Sequence, residues 1–369
     1  MHTARNRTCC TGRHTNIQLN GGSIVQRSRF AGRGFRGLIA AAGAALVALP
    51  LAAVGTAGAS AHPRAAATSI IIGEPLSPPL VPQQAVFIAK ELGFFAKEHL
   101  NVQIAYMPNG LESELGTTAK SITLGMAAGS DSIEAAAQGA PIHAVWVDYQ
   151  KLDLVCIGGP KIKSIKDLVG QAVGSTGAGG FSQTTMNACL TAGGVKPSQV
   201  KEITMTRAEF VPALATGRIQ AAVFHADDAY AVLHSIKGAH IIDTEYKTLP
   251  LYWYGSLNVR DAYAKANPTV VEHAIAALMM ADRWMINPKN NARFVALAVK
   301  NSGESKAAVQ SAITFDRSIQ LWNTSCAVSP ASVAFTSHLL LTQGSITKAP
   351  TFAQVYNGSY CAAAAKMAG

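Results

Sequence analysis

Between Thr68 and Asp243, short β-branched or apolar runs alternate with stretches of helical character, and this alternation constrains the fold more than any other feature of the chain. A strand at 68–73 (TSIIIG) leads through a Pro-rich loop, 74–82, into a helix at 83–97. A strand at 102–106, a helix at 111–120 and a strand at 122–126 follow. Ser130-Asp131-Ser132 reads as an N-cap cluster opening a helix at 133–138, and PIHAVWVDY (141–149) as the next strand. The grammar then repeats: strand 152–158, helix 164–169, strand 172–175, a glycine-rich turn, helix 182–192 and strand 202–205. Helix 209–216, strand 221–225, helix 227–237 and strand 240–243 complete this second unit. After Pro250 helical patterns take over, at 268–287, 288–301 and 305–320. They carry no strand of their own, so they must cover a sheet made elsewhere. The fold class implied is α/β, in two lobes, each a mostly parallel sheet flanked by helices. Lobe one is expected from 68–150 completed by 255–369, and lobe two from 151–250. Two chain crossings, near 149–151 and 250–255, would form the hinge. Ligands of open α/β sheets bind outside the carboxyl ends of the strands, so two facing lobes make a cleft.

Residues 1–61 stand apart. The whole chain of 369 residues has a formal charge of +10, but these 61 hold seven arginines and no Asp, Glu or Lys. Setting those seven aside leaves 24 basic against 21 acidic residues, a balance of +3. So even a distribution argues against a nucleic-acid-binding footprint. Arg27, Arg29, Arg33 and Arg36 precede an apolar stretch, 37–54, and then Ala59-Ser60-Ala61. This is the order of a secretory signal peptide cleaved after Ala61. A transmembrane anchor is the alternative, for which the apolar stretch is near the lower length limit. The polar run before Val25 is long for a leader and points to a true start near residue 25. No Arg-Arg pair marks twin-arginine export, and no Cys follows Ala61 to take a lipid. A freely diffusing periplasmic or secreted protein is expected.

Cys9 and Cys10 fall in the leader, which leaves Cys156, Cys189, Cys326 and Cys361. An even count in an oxidising compartment suggests two disulfides, with three connectivities open. Nearness in sequence favours Cys156–Cys189 and Cys326–Cys361, with buried thiols as the alternative. No C-x-x-C pair suggests metal or redox work.

The segment PQQAVFIAKELGFFAKEHLNVQIAYMPNG (82–110) resembles the opening signature of the nitrate, sulfonate, taurine and thiamine-pyrimidine group of ABC-transporter substrate-binding proteins. Lys90, Glu91, Leu92, Gly93, Phe94 and Phe95 carry the match. AAAQGAPIHAVW (135–146), SIKDLVGQAVGST (164–176) and ALATGRIQAAVFH (213–225) resemble three further blocks in the family's order. Gln220 departs from the family's usual Asp before Ala-Ala, and Lys120-Ser121-Ile122 stands where a Gly-x-x-D segment is common. After Gly255 no motif matches. The resemblance implies a two-lobed periplasmic-binding-protein type II fold and an exported solute binder that serves an ABC permease.

For the cleft, the strongest feature is Gly174-Ser175-Thr176-Gly177-Ala178-Gly179-Gly180, which ends a strand and opens a helix. Glycines admit a ligand close to the backbone, and free N–H groups at a helix start favour an anion or a carbonyl oxygen. In the resembled family this turn is a ligand contact. The candidates here are Ser175, Thr176, Gly177, Gly179 and Phe181. From the facing lobe come Ser77, Gln83, Ser130 and Asp131, and at the end of strand 221–225 come His225 and Asp227. Trp146, Tyr149, Phe181, Tyr252, Trp253 and Tyr254 gather near the crossings in a chain with only 7% aromatics, and Trp253 is taken as a ligand wall. Each of these also has a plain structural reading, as turn, cap or core. A nitrate or sulfonate cleft would show cationic side chains, and only Arg207 stands at a suitable loop. The expected ligand is therefore an aromatic or heterocyclic small molecule, with a sulfonate or nitrate-like anion as the alternative.

The chain holds no H-E-x-x-H, G-x-S-x-G or G-K-[ST] motif and no close His/Cys cluster. His225 with Asp227 and Asp228 could be drawn as an acid–base set, but adjacent residues point apart. We therefore expect a monomeric binding protein and not an enzyme, with no cofactor and no metal. Its partners would be a small-molecule ligand and an ABC permease. An exported sensor for a membrane receptor kinase is the second reading.

Overall fold

The protein is described by a computed structural model covering residues 67–177 and 180–369, which belong to one compact unit, His62–Gly369. The expected signal peptide, 1–61, lies outside the described residues, as does Gly179. Among the described residues ten strands form: β1 (Thr68–Glu74), β2 (Leu100–Tyr106), β3 (Leu124–Ala128), β4 (Ile142–Val147), β5 (Leu154–Gly158), β6 (Ala172–Ser175), β7 (Lys201–Thr204), β8 (Ala221–His225), β9 (His240–Thr244) and β10 (Gly255–Arg260). They make two five-stranded sheets, ordered β2-β1-β3-β10-β4 and β7-β6-β8-β5-β9.

The two orders are the same pattern. In the first sheet β2, β1 and β3 pair in parallel and β10 runs antiparallel to both β3 and β4. In the second, β7, β6 and β8 pair in parallel and β5 runs antiparallel to both β8 and β9. Each sheet is thus mixed, with four strands in one direction and one reversed. The reversed strands are β5 and β10, which the chain lays down first after leaving the other sheet. Strand β10 departs from the sequence reading, which gave the segment after Pro250 to helices alone. Its Ser256 and Asn258 are fully buried on one face, so the apolar run that marks a buried strand is interrupted there. Ser132 satisfies both, at 2.9 Å from the Ser256 hydroxyl and 3.0 Å from Asn258 Oδ1.

Helices cover the sheets. The expected helix at 83–97 is three pieces: a 3-10 turn at Pro82–Gln84, a helix at Ala85–Glu91 and a short one at Phe94–Lys97. Gly93 breaks it with φ of 74°, a left-handed conformation that costs glycine little and ends helices. The expected helix at 164–169 is a 3-10 turn, Ile165–Leu168, capped by Asp167, whose carboxylate accepts the Lys163 and Ser164 N–H groups at 2.9 Å. The helix Gly129–Ala137 begins earlier than Ser130 would allow as a cap: Ala128 is the N-cap, and Ser130 and Asp131 lie in the first turn.

The long helix Pro268–Ile286 packs on Ala85–Glu91 and on the final helix, Cys361–Ala368. Eleven of its residues are buried, and all of them but Asp282 join Ile70, Ile72, Leu124 and Leu257 in one hydrophobic core. Each large aliphatic side chain so buried contributes about 1.5–3 kcal/mol. The helix Lys306–Ser318 packs along Ala226–Ser235, the helix that follows β8. Among the described residues no helix is long and apolar enough to cross a membrane.

Cys326 and Cys361 form a disulfide that fastens the tail. Cys156 and Cys189 do not: both are buried free thiols, which corrects the expected second bridge. They meet where β5 packs near the helix Phe181–Ala192, and the hydrogen bond that the Cys189 thiol donates to Cys156, then burial, raises the Cys189 pKa far above a free thiol's.

Candidate functional site

The parallel strands of the second sheet end at Ser175 and His225, and the reversed strand β5 starts at that same edge, with Leu154 opposite His225. Antiparallel pairing therefore sets Asp153, the residue before β5, beside the His225 ring. Nδ1 of His225 lies 2.9 and 3.0 Å from the two Asp153 oxygens. Burial alone would lower the His225 pKa, but the charge and hydrogen bond of Asp153, with Asp227 beyond, outweigh it and the net shift is upward. Asp227, in the first turn of Ala226–Ser235, is fully buried. Its Oδ2 accepts the N–H of Val81, 146 residues earlier in the chain, at 3.1 Å, and its Oδ1 accepts the N–H of Asp228 at 3.0 Å. Burial first, then the Asp228 charge, push Asp227 up to about 6 against the pull of His225 and Arg207. Arg207 pairs with Asp228 at 2.7 Å. From the helix Lys306–Ser318 a fourth acid, Asp316, is buried with neither oxygen hydrogen-bonded among the described residues. Burial raises its pKa, and the charges of Asp153 and Asp227 raise it further.

An aromatic row adjoins this cluster. Tyr254, the residue before β10, places its hydroxyl 3.3 Å from His225 Nε2. The Phe181 ring lies parallel to the Tyr254 ring, 4.8 Å between centroids and 6° between planes, and Tyr149 meets Tyr254 edge-on at 4.6 Å. Tyr252 stands 6.2 Å from Phe181. The Tyr252 hydroxyl and the Ser130 hydroxyl are both buried without a full hydrogen bond among the described residues. Burial raises the Tyr252 pKa, which the neighbouring Ser130 hydroxyl only partly offsets.

The structure brings His225, Asp227 and Phe181 together, with Ser130 one aromatic ring away, and turns several other expected residues to local tasks. Asp131 accepts the Ala128 N–H at 3.0 Å and packs against Gly110, where a Cβ would lie 1.8 Å from its Oδ2. Burial raises its pKa to about 7. Gln83 is buried and its Oε1 accepts the Leu80 N–H at 3.2 Å, closing its own turn. Ser77 is exposed, on a cis bond to Pro78. The Ser175 hydroxyl donates to Glu202, which also accepts Gln183 Nε2 at 2.6 Å. Thr176 is exposed, its N–H directed at the Ser182 hydroxyl at 3.3 Å, and Gly177 has φ of 141°. Trp253 is fully buried in a separate core with Ile133, Val147 and Leu340. Its Nε1 donates to the Gly255 carbonyl at 3.2 Å, and a Cβ at Gly129 would lie 2.5 Å from its ring. That ring belongs to this separate core and not to the aromatic row.

Sequence reasoning missed Asp153, Tyr254 as a site residue, and Asp316. A signal existed for the first: Asp153 is the one acid within the apolar run 152–158. For Asp316, on an amphipathic helix far along the chain, there was none.

The comparisons agree with this architecture. The family model described as "NMT1/THI5 like" matches residues 83–292. A solved structure from Bordetella bronchiseptica RB50 is 22% identical, with 81% of this chain and 97% of that one covered and a TM-score of 0.67. The alkanesulfonate-binding protein SsuA of Xanthomonas axonopodis pv. citri, bound to MOPS, is 17% identical over 80% of this chain and 100% of its own, with a TM-score of 0.65. The periplasmic nitrate-binding protein NrtA of Synechocystis PCC 6803 is 14% identical over 81% and 89%, also at 0.65. At these identities the likeness shows the fold, two mixed sheets flanked by helices as in periplasmic binding proteins. No curated protein matches the sequence. With the family model spanning more than half of its length, the chain belongs to the NMT1/THI5-like family.

Proposed function

We propose that this chain is an exported solute-binding protein that captures a small organic ligand between two lobes and delivers it to an ABC importer. Lobe one is 68–150 with 255–369, lobe two is 151–250, and the crossings at 148–153 and 249–254 are the hinge. The carrying observation is the cluster at the carboxyl ends of the strands, where Asp153, His225, Asp227, Phe181 and Tyr254 come from four separate chain segments and converge. Open α/β sheets place ligands at that edge. The similarity to SsuA and NrtA, named as binders of alkanesulfonates and of nitrate, supports a solute-binding role in general. The nature of the walls favours an aromatic or heterocyclic ligand over those anions: Phe181, Tyr149, Tyr252 and Tyr254 line one row, whereas Arg207, the cation expected for an anion, is paired with Asp228. The leader would be removed after Ala61, and the mature protein would act as a monomer in the periplasm or outside the cell. We assign it no catalysis.

A thermal-shift screen of the purified protein against ring compounds, sulfonates and nitrate tests this reading, with mass spectrometry of anything that co-purifies. A ligand of micromolar affinity at millimolar concentration stabilises its binder by about 4 kcal/mol. A saturable upward shift with one chemical class is the expected result. Turnover of a bound compound into product would overturn it.

A further inference from the structure

We infer that the amino edge of the second sheet, where its parallel strands begin, is a docking surface for an anionic phospholipid membrane. The inference goes beyond the solute-binding reading and does not depend on what the candidate site binds.

The near balance of 24 basic and 21 acidic residues outside the leader hides a segregation that the fold creates. β5 ends at Gly158, which pairs with Ala221 and His240, the first residues of β8 and β9. β6 starts at Ala172, opposite Lys201, the first residue of β7. One rim therefore collects every segment that enters or leaves these strand ends. The segment 159–171 brings Lys161, Lys163 and Lys166, the segment 193–201 brings Lys196 and Lys201, and Lys237 precedes β9. Close contacts join the three: the Gly170 N–H donates to the Gln199 carbonyl and the Lys201 N–H to the Gln171 carbonyl, both at 2.7 Å. A Cβ at Gly238 would lie 3.2 Å from that of Pro160. All six lysines are exposed, and among the described residues none has an ion-pair partner. The acids beside them are engaged: Asp167 caps its own turn through the N–H groups of Lys163 and Ser164, and Glu202 holds Ser175 and Gln183. Asp153, Asp227, Asp228 and Glu245 stand past the opposite strand ends, a strand length of five residues or about 16 Å away. Like charges gathered on one rim repel one another, and an anionic partner would relieve that repulsion.

Two features single out a bilayer among polyanions. The free cations are lysines, point charges on flexible stems that suit a fluid array of headgroups. The rim's one arginine, Arg218, whose fork would grip a single phosphate or carboxylate, faces Glu209 at 3.9 Å. Val169, 48% exposed in the same segment as Lys166, adds an apolar side chain to enter the headgroup layer. The rim lies across the sheet from the candidate site, so docking there leaves that site uncovered.

Cosedimentation of the compact unit His62–Gly369 with vesicles tests this, using phosphatidylcholine alone or mixed with phosphatidylglycerol at about two to one. Expected is binding to the anionic vesicles alone at about 20 mM salt, lost at about 0.3 M, where screening is strong. A lysine near an anionic surface is worth about fivefold in partitioning, so Lys161→Gln, Lys163→Gln and Lys166→Gln together should weaken binding about a hundredfold. Taking the same charge from exposed lysines elsewhere, as Lys90→Gln, Lys265→Gln and Lys348→Gln, should weaken it by less than about threefold. Val169→Gln should weaken it about threefold with the salt dependence unchanged. All these variants should melt with the parent, since every replaced side chain is exposed, and ligand-induced thermal shifts should be the same in both triple variants. The surface and the site thus fail separately. No binding to anionic vesicles at low salt overturns the inference. Equal losses in the two triple variants overturn it as well, because net charge alone would then explain the attraction. Tighter binding to soluble polyphosphate than to vesicles, with Val169→Gln matching the parent, overturns the membrane as partner in favour of an acidic polymer.

Discussion

Replacing Asp131 by asparagine should leave the protein as stable as the parent in acid and make it more stable above neutrality. Asp131 is buried, and burial raises its pKa from 3.8 to about 7. A carboxyl raised in this way contributes stability that is fully present below the unfolded value, near 3.8, and that is lost as the pH rises through the folded value, near 7. The shift is about three units, and at about 1.4 kcal/mol per unit the loss approaches 4 kcal/mol, an upper bound for a real interior. The asparagine side chain would keep an oxygen to accept the Ala128 N–H, the one hydrogen bond that Asp131 makes among the described residues, and would fit the same space against Gly110. It cannot ionise, so it forgoes the loss. Removing the charge also relieves Glu114 and Glu134, whose raised pKa values owe part of their shift, after burial, to Asp131. Thermal melts of both proteins at whole pH units from 4 to 8 test this, and the difference between them cancels the other titrating groups to first order. At about 2 °C per kcal/mol for a domain of this size, the curves should coincide at pH 4, separate through pH 5 to 7, and run several degrees apart at pH 8. A gap that does not change with pH, or an Asp131→Asn variant that melts lower at pH 8, would contradict this account of the buried carboxyl.

Other perturbations separate site from scaffold. Trp253→Ala should destabilise by about 3–5 kcal/mol in chemical denaturation, because it empties a closed core. Phe181→Ala, at a half-buried ring, should cost far less stability while weakening ligand binding about tenfold in calorimetry. Equal losses of stability in the two would contradict the placement. Gly129→Ala should lower stability by about 1–3 kcal/mol, read as a fall in melting temperature, since its Cβ would lie 2.5 Å from both the ring and the carbonyl of Trp253. Cys326→Ser with Cys361→Ser should cost about 2–4 kcal/mol, and a reducing agent should lower the parent's melting temperature and leave the double variant's unchanged.

How far the sequence carried the fold depended on whether burial was apolar. The run TSIIIG, with β-branched residues on a strand buried mostly on both faces, was legible as β1, and so were β6 and β8. β10 was not, because Ser256 and Asn258 are interior and owe their satisfaction to Ser132, 124 and 126 residues away in sequence. Long-range hydrogen bonds leave no trace in a local pattern. The glycine-rich turn, the chain's clearest chemical signal, was placed rightly at the end of β6. Its Ser175, however, donates its hydroxyl to Glu202 of the neighbouring strand, a pairing fixed by the parallel register of β6 and β7. The aromatic cluster at the crossings was also visible, but not its division: Trp253 and Tyr254 are adjacent in the segment that leads into β10, and one packs into a core and the other at the candidate site.

That division follows from the same topological device in both sheets. β5 and β10 are each the first strand after a crossing, and each is inserted antiparallel between strands whose carboxyl ends it must therefore meet with its own beginning. The residues just before them, Asp153 and Tyr254, are delivered to the carboxyl edge by pairing alone, Asp153 beside His225 of β8 and Tyr254 beside Ala128 of β3, whose neighbour Gly129 donates its N–H to the Tyr254 carbonyl at 2.5 Å. Crossing and site are consequently made of the same residues. The hydrogen bonds that join Asp153 and Tyr254 to one histidine also join the two crossings to each other. In the solute-binding reading, a rotation of one sheet against the other has to be taken up at these crossings, and so it moves the site's own side chains. In that reading, a ligand that alters the Asp153–His225–Tyr254 contacts would act directly on the proposed hinge, with no relay between binding and closure.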